Sequence, residues 1–179
     1  MTPRNLGDTD LKRLHRTWRR RTEGRVALLL DSVQTPYNVG SIVRLAAAYR
    51  VEHLHLAGAT ASLGASGSRK TALGADRYVP HTTHADLAAA IDAVKDDGLR
   101  LVGIELADGA VPLHEVAFGE DVCLALGHED RGLSPLTLAA SDAVAFIPQL
   151  GKVGSLNVAS AAAIALYEVR RRAWTQPPD

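Results

Sequence analysis

One feature constrains this chain more than any other: a continuous apolar run bounded by charge, "RVALLLD" at residues 25–31. A half-exposed strand alternates apolar and polar side chains. This run is apolar at every position from 26 to 30, so a strand here must be buried on both faces. Related runs return as "EHLHLAG", "LRLVGIEL", "DVCLALG" and "AVAFIP", with a further short strand expected at 78–80. Helical patterns lie between them: "VGSIVRLAAAYR", a short piece of "SRKTALGADRYV", the amphipathic "THADLAAAIDAVKDDG", and a last helix over 155–172. This alternation predicts an α/β fold, a mostly parallel six-stranded sheet with helices on both faces. Aromatic residues are only 4% of the 179, so Val, Leu, Ile and Ala must build the core.

The stretch before the first strand differs in kind. Residues 1–25 carry eight basic side chains against Asp8, Asp10 and Glu23, a net charge of +5, in a chain of formal charge zero. Leu11, Leu14 and Trp18 recur at helical spacing; Asp8 or Thr9 is placed to cap such a helix and Gly24 to end it. So short a helix is not stable alone and must dock on the body or on a partner. Either the arm touches a phosphate backbone through Arg16, Arg19, Arg20 and Arg21, or it is a solvated helix. The expected organisation is a basic helical arm (1–25), a body (26–172) and a short tail (173–179).

Other function classes find little support. Cys123 is alone, in "DVCLALG", and reads as a small core residue. His53 and His55 share one side of a strand, and His81 and His84 flank a turn where His84 is placed to start a helix. Neither pair has an evident third ligand, so no metal is expected. Dinucleotide, P-loop and hydrolase-elbow motifs are absent. With no run of 18 apolar residues and no apolar signal core, the expectation is a cytoplasmic protein with no membrane contact.

Ligands of such sheets bind beyond the carboxyl ends of the strands. Three polar, glycine-bearing loops follow strands: "DSVQTPYNVGS", "GHEDRGLS" and "PQLGKVGSLN". In the first, Asn38 stands just ahead of a helix, where its amide either caps the backbone or holds a ligand. Arg44 lies six residues on, either in a surface ion pair or facing the same cleft. In the second, Glu129 sits between Gly127 and Gly132, suited to accept backbone hydrogen bonds or orient an arginine. The third brings Ser155 and Asn157 to the start of the last helix, where free backbone N–H groups favour a polar or anionic ligand.

Together, "NVGSIVRLAAAYRV", "SRKTALGADRYV", "LALGHEDRGLS" and "IPQLGKVGSLNVASAAAIALYE", in this order, resemble the knotted RNA methyltransferases of the SPOUT superfamily. Within it they are similar to the TrmH-like 2'-O-ribose methyltransferases, over roughly residues 26–172. The resemblance implies a deep trefoil knot near the C-terminus and a homodimer with its site near the subunit interface. It implies S-adenosyl-L-methionine held in a bent shape by Leu126, Gly127, Ile147 and Leu156. It also implies a catalytic group of Asn38, Arg44, Glu129, Ser155 and Asn157 transferring a methyl group to a ribose 2'-OH of RNA, with tRNA the first choice and rRNA open. Arg44 would either accept the hydroxyl proton or clamp phosphate. RNA would be gripped by the dimer surface, the arm, Arg69, Lys70 and Arg170 to Arg172. Two positions depart from the family pattern: Arg50 where glycine is common, and Gln149 where methionine is common. The competing readings are an RNA base methyltransferase of the same superfamily and a non-catalytic RNA-binding or ribosome-assembly protein.

Overall fold

A computed structural model describes residues 4–175. Seven strands form one sheet: β1 (Val26–Asp31), β2 (His53–Ala57), β3 (His81–Thr83), β4 (Arg100–Ile104), β5 (Val111–Pro112), β6 (Val122–Leu126) and β7 (Ala143–Phe146). Their order is β3-β2-β1-β6-β4-β7-β5, and every pairing is parallel. Six α-helices accompany them: α1 (Asp8–Arg20), α2 (Pro36–Ala48), α3 (Ser66–Ala72), α4 (Leu87–Asp96), α5 (Pro135–Ala140) and α6 (Val158–Thr175).

The opening run behaves as its composition demands. All six residues of β1 are buried. Val26, Leu28 and Leu30 point to one face, against Val39, Ile42 and Val43 of α2 and Ala162, Ala165 and Leu166 of α6. Ala27 and Leu29 point to the other, against Ala90, Ile91 and Val94 of α4. This two-residue alternation across a strand covered on both sides makes the α/β sandwich.

The structure departs from the sequence expectations in identifiable ways. The sheet has seven strands rather than six, because β5 is a two-residue edge strand too short to leave a pattern. The third strand is not 78–80 but His81–Thr83, preceded by a 3-10 turn at Ala75–Tyr78. Pro80 lacks an N–H and contributes only its carbonyl, to Leu54 N–H. Helix α5 was not expected at all; Pro135 opens it and the Ser134 hydroxyl caps Thr137 N–H. Gly7, not Asp8 or Thr9, precedes α1, and Asp86 rather than His84 caps α4. The His84 ring instead meets His55, Nε2 to Nδ1 at 3.0 Å. Burial, followed by the neighbouring His53 and His84, lowers the His55 pKa to about 4.

The last helix begins at Val158, not 155, with Asn157 as its cap: Oδ1 accepts from Ala159 N–H at 3.0 Å and Ser160 N–H at 3.3 Å. At its other end the expected RNA contacts at Arg170 to Arg172 are used internally. Arg170 is buried and donates to the carbonyls of Tyr49, Arg50 and Gly24. Arg171 and Arg172 both pair with Glu168. Arg172 also donates to the carbonyls of His114 and Val116, so Arg170 and Arg172 supply donors to the chain segments that α6 covers.

Candidate active site

The loops after β1 and β6 leave neighbouring strands and lead to helices on opposite faces, so the sheet has its topological switch point here. One hydrogen-bonded chain joins all three polar loops at this edge. The Glu129 carboxylate accepts from Gln34 N–H (3.1 Å), Thr35 N–H (2.9 Å) and Asn38 Nδ2 (2.9 Å). Asn38 Oδ1 in turn accepts from Asn157 Nδ2 at 3.0 Å. Because Asn157 Oδ1 is held by the start of α6, and a carboxylate only accepts, both amides have a single orientation compatible with their partners. Burial raises the Glu129 pKa, but the donors from Asn38, Thr35 and Gln34 outweigh it and hold the group at about 2.

Beside this chain lies an open cleft of about 510 Å³. Leu126, Gly127, Ile147 and Leu156, the four expected cofactor residues, all line it, as do Glu129 and Ser155. Gly127 is required by packing: a Cβ there would lie 2.2 Å from Gly132 C and 2.3 Å from Leu133 N. Gly132 has φ +68°, and the Glu105 carboxylate occupies the place of its missing Cβ. Sequence reasoning missed the loop after β4, which brings Ile104, Glu105 and Leu106 to the cleft. Its signal was present, since "LRLVGIEL" is a buried strand next to β6 and its carboxyl end had to reach the same edge. Glu105 accepts from Leu133 N–H at 2.9 Å and so fixes the glycine turn.

Residues 25–167 match the SpoU rRNA Methylase family. The chain belongs to that family. A protein of Escherichia coli (strain K12) named tRNA (guanosine(18)-2'-O)-methyltransferase is 31% identical over 147 residues, 82% of this chain and 63% of that protein. Among solved structures, the AdoMet-bound rRNA methyltransferase from Sinorhizobium meliloti superposes with a TM-score of 0.79 at 31% identity, covering 85% of this chain and 58% of that one. Another, described as giving structural insights into the 2-OH methylation of C/U34 on tRNA, has a TM-score of 0.75 at 32% identity over 85% of this chain and 97% of that one. This SpoU chain thus spans about three fifths of the length of the first two.

Not every expected residue of this SpoU domain gathers at the cleft. Asn38 lies inside α2, because Pro36 starts the helix two residues earlier. At 100° per residue, Arg44 is then turned roughly 120° away from Asn38. It is exposed and makes no hydrogen bond or ion pair among the described residues. Ser155 is exposed at the cleft's rim. Arg16, Arg19, Arg20 and Arg21 are exposed on or just after α1, which touches the body through Trp18 and Trp174, with ring centroids 5.1 Å apart. Arg69 and Lys70 are exposed on α3. No set of three His, Cys, Asp or Glu among the described residues is placed to hold a metal ion. No described helix is long and apolar enough to cross a membrane.

Proposed function

We propose that this chain transfers a methyl group from S-adenosyl-L-methionine to a ribose 2'-OH of RNA, with tRNA the first candidate and rRNA the second. The observation that carries the reading is the Glu129–Asn38–Asn157 chain, which locks three loops around one cleft at the carboxyl edge of the sheet. The names of the family relatives point the same way.

The cleft suits the cofactor. Ile104, Leu126, Phe146, Ile147 and Leu156 offer an apolar wall, and Gln149 Oε1 is buried without a hydrogen-bond partner among the described residues. That oxygen, where the family commonly has methionine, is an acceptor free for a ligand N–H. Leu126, Gly127, Ile147 and Leu156 would hold the cofactor between two segments that pass closely, in the manner of a trefoil knot. Bound there, S-adenosyl-L-methionine supplies an electrophilic sulfonium methyl.

The chain's own residues supply position and charge. Asn38, Glu129 and Asn157 fix the rim, and Ser155 is free at its edge to meet the ribose. Arg44 works as a clamp on phosphate and on the ribose 2'-oxygen, which becomes negative as its proton passes to solvent water. A guanidinium holds its proton so firmly that a neutral resting base is costly. Its side chain's freedom from partners among the described residues fits a residue that waits for substrate. Alignment of hydroxyl and methyl lowers much of the remaining barrier. A homodimer completes the unit, covering apolar surface left open on α1 and α6.

The test uses the protein with methyl-labelled cofactor and unfractionated tRNA and rRNA. Nuclease digestion and mass analysis should place the label on ribose. Label on a base, or none, would overturn the reading. Arg44→Ala should keep cofactor affinity by calorimetry and lose on the order of 100-fold or more in transfer. Unchanged turnover would remove Arg44 from the reaction.

A further inference from the structure

We infer that Tyr37 and Tyr78, the latter with Arg77 stacked on it, form a track on which bases flanking the reactive nucleotide stack. The inference rests on the RNA-methylation reading above and deepens it. The track follows from how α3 and the Ala75–Tyr78 turn pack on α2. A Cβ on Gly67 would lie 3.0 Å from Pro36 and 3.5 Å from the Tyr37 ring, and Gly40 faces Ser68 and Thr71. Gly67 thus meets the first turn of α2 and Thr71 the second, so the two helices run side by side in the same direction. The 3-10 turn, reached through the left-handed Leu73 and Gly74, also packs on α2.

Tyr37 and Arg44 are seven residues apart, two turns, and therefore share one face of α2 about 10 Å apart. Tyr37 adjoins Asn38 at the rim of the cleft. The face thus begins beside the site and leads to Arg44. Both rings stand open, Tyr37 at 53% and Tyr78 at 67% exposure. The Arg77 guanidinium carbon lies over the Tyr78 ring, 4.8 Å from its centroid, a cation–π contact.

Charge selects the occupant. Arg44, Arg69 and Lys70 have no hydrogen-bonding or ionic side-chain partner among the described residues, and Asp76 is the one acidic residue on α2, α3 or the turn. One exposed tyrosine is ordinary. Two on adjoining basic elements, with an unpaired arginine on the face of one of them, suit the alternation of base and phosphate along a single strand. Stacking on tyrosine tolerates any base, and RNA is read chiefly where its bases are splayed out.

The test is binding of unfractionated tRNA over a range of salt concentrations. Tyr78→Ala should weaken binding about ten-fold with its salt slope unchanged, because stacking releases no counterions. Tyr78→Phe should bind as the parent does. Arg69→Ala with Lys70→Ala should instead flatten the slope by roughly 1.5. An unchanged melting temperature for Tyr78→Ala would confirm that its fold is intact. If Tyr78→Ala binds like the parent while the Arg69/Lys70 variant is weakened, the track is wrong and the RNA reading stands. A Tyr78→Ala loss that flattens the slope and is not restored by Phe would also overturn stacking. If the parent protein binds neither tRNA nor rRNA, both readings fall.

Discussion

At Glu129 two carboxylate oxygens serve three donors: Gln34 N–H on Oε2, and Thr35 N–H with Asn38 Nδ2 on Oε1. Glutamine cannot replace this arrangement, because its amide would turn an NH2 group toward a backbone N–H. The folded pKa, about 2, lies below the ordinary 4.5. A group depressed in this way stabilises the fold fully above the unfolded value and loses that contribution as pH falls through the folded one. Glu129→Gln should therefore lower stability at pH 7 by about 1–2 kcal/mol, a figure reduced for the partial exposure of the site. The gap to the parent should close between pH 4.5 and 2. Glu168 is also held at about 2, first by its hydrogen bond from Arg171, so the acid limb of the parent alone is not diagnostic. The difference between the two melting curves is. A gap that is as wide at pH 2 as at pH 7 would mean that the carboxylate charge is not what joins the loops.

At the scale of elements, the end of α2 shows what a departure from the family pattern costs. Arg50 has φ +54°, the left-handed region where glycine is at ease. Val51 N–H reaches back to Ala46 O at 2.8 Å and Arg50 N–H to Ala47 O at 3.4 Å, the paired bonds of a Schellman ending. Arg50→Gly should keep both bonds, and keep the Arg50 carbonyl that Arg170 uses, while removing the side-chain strain. The expected gain is about 1 kcal/mol, or about 2–4 °C in melting temperature. A lower melting temperature would show that the arginine side chain makes a compensating contact. The same helix marks how far the residues could be read in advance. Periodicity gave the existence of α2 and the burial of β1, because these depend on which positions are apolar. It put Asn38 outside the helix, because the helix start depends on Pro36 and on a carboxylate 91 residues away in the chain. The internal use of Arg170 was equally hidden: a basic run looks solvated until the carbonyls it meets are known. The cleft residues Leu126, Gly127, Ile147 and Leu156 were placed together by resemblance rather than by spacing. The Glu105 loop carries no motif of its own; only the place of β4 beside β6 brings it to the cleft.

For the whole molecule, the open question of surface is the apolar face shared by α1 and α6. Leu11 and Leu14 stay exposed on α1, and Ile164 and Tyr167 on α6. Trp18 and Trp174 join the two helices, and the Tyr167 ring meets Trp174 edge-on at 6.0 Å. A helix as short as α1, with every residue exposed, gains little from the body beyond that contact. Its stripe and the α6 face therefore make one continuous surface suited to the proposed homodimer. If a second copy covers it, the protein should sediment at about twice the 19.0 kDa of one chain. Ile164→Glu with Tyr167→Glu should shift it to the monomer, since two carboxylates desolvated at the centre of an interface weaken it by roughly 100-fold or more. Monomer sedimentation of the parent protein at micromolar concentration would reject the dimer. A dimer untouched by the two glutamates would place its interface elsewhere and leave the α1–α6 face for another partner. Where the monomeric variant forms, its methyl transfer decides whether the second copy also completes the site. Cofactor binding with lost transfer would put part of the RNA surface on the partner subunit, whereas full transfer would confine the reaction to one chain.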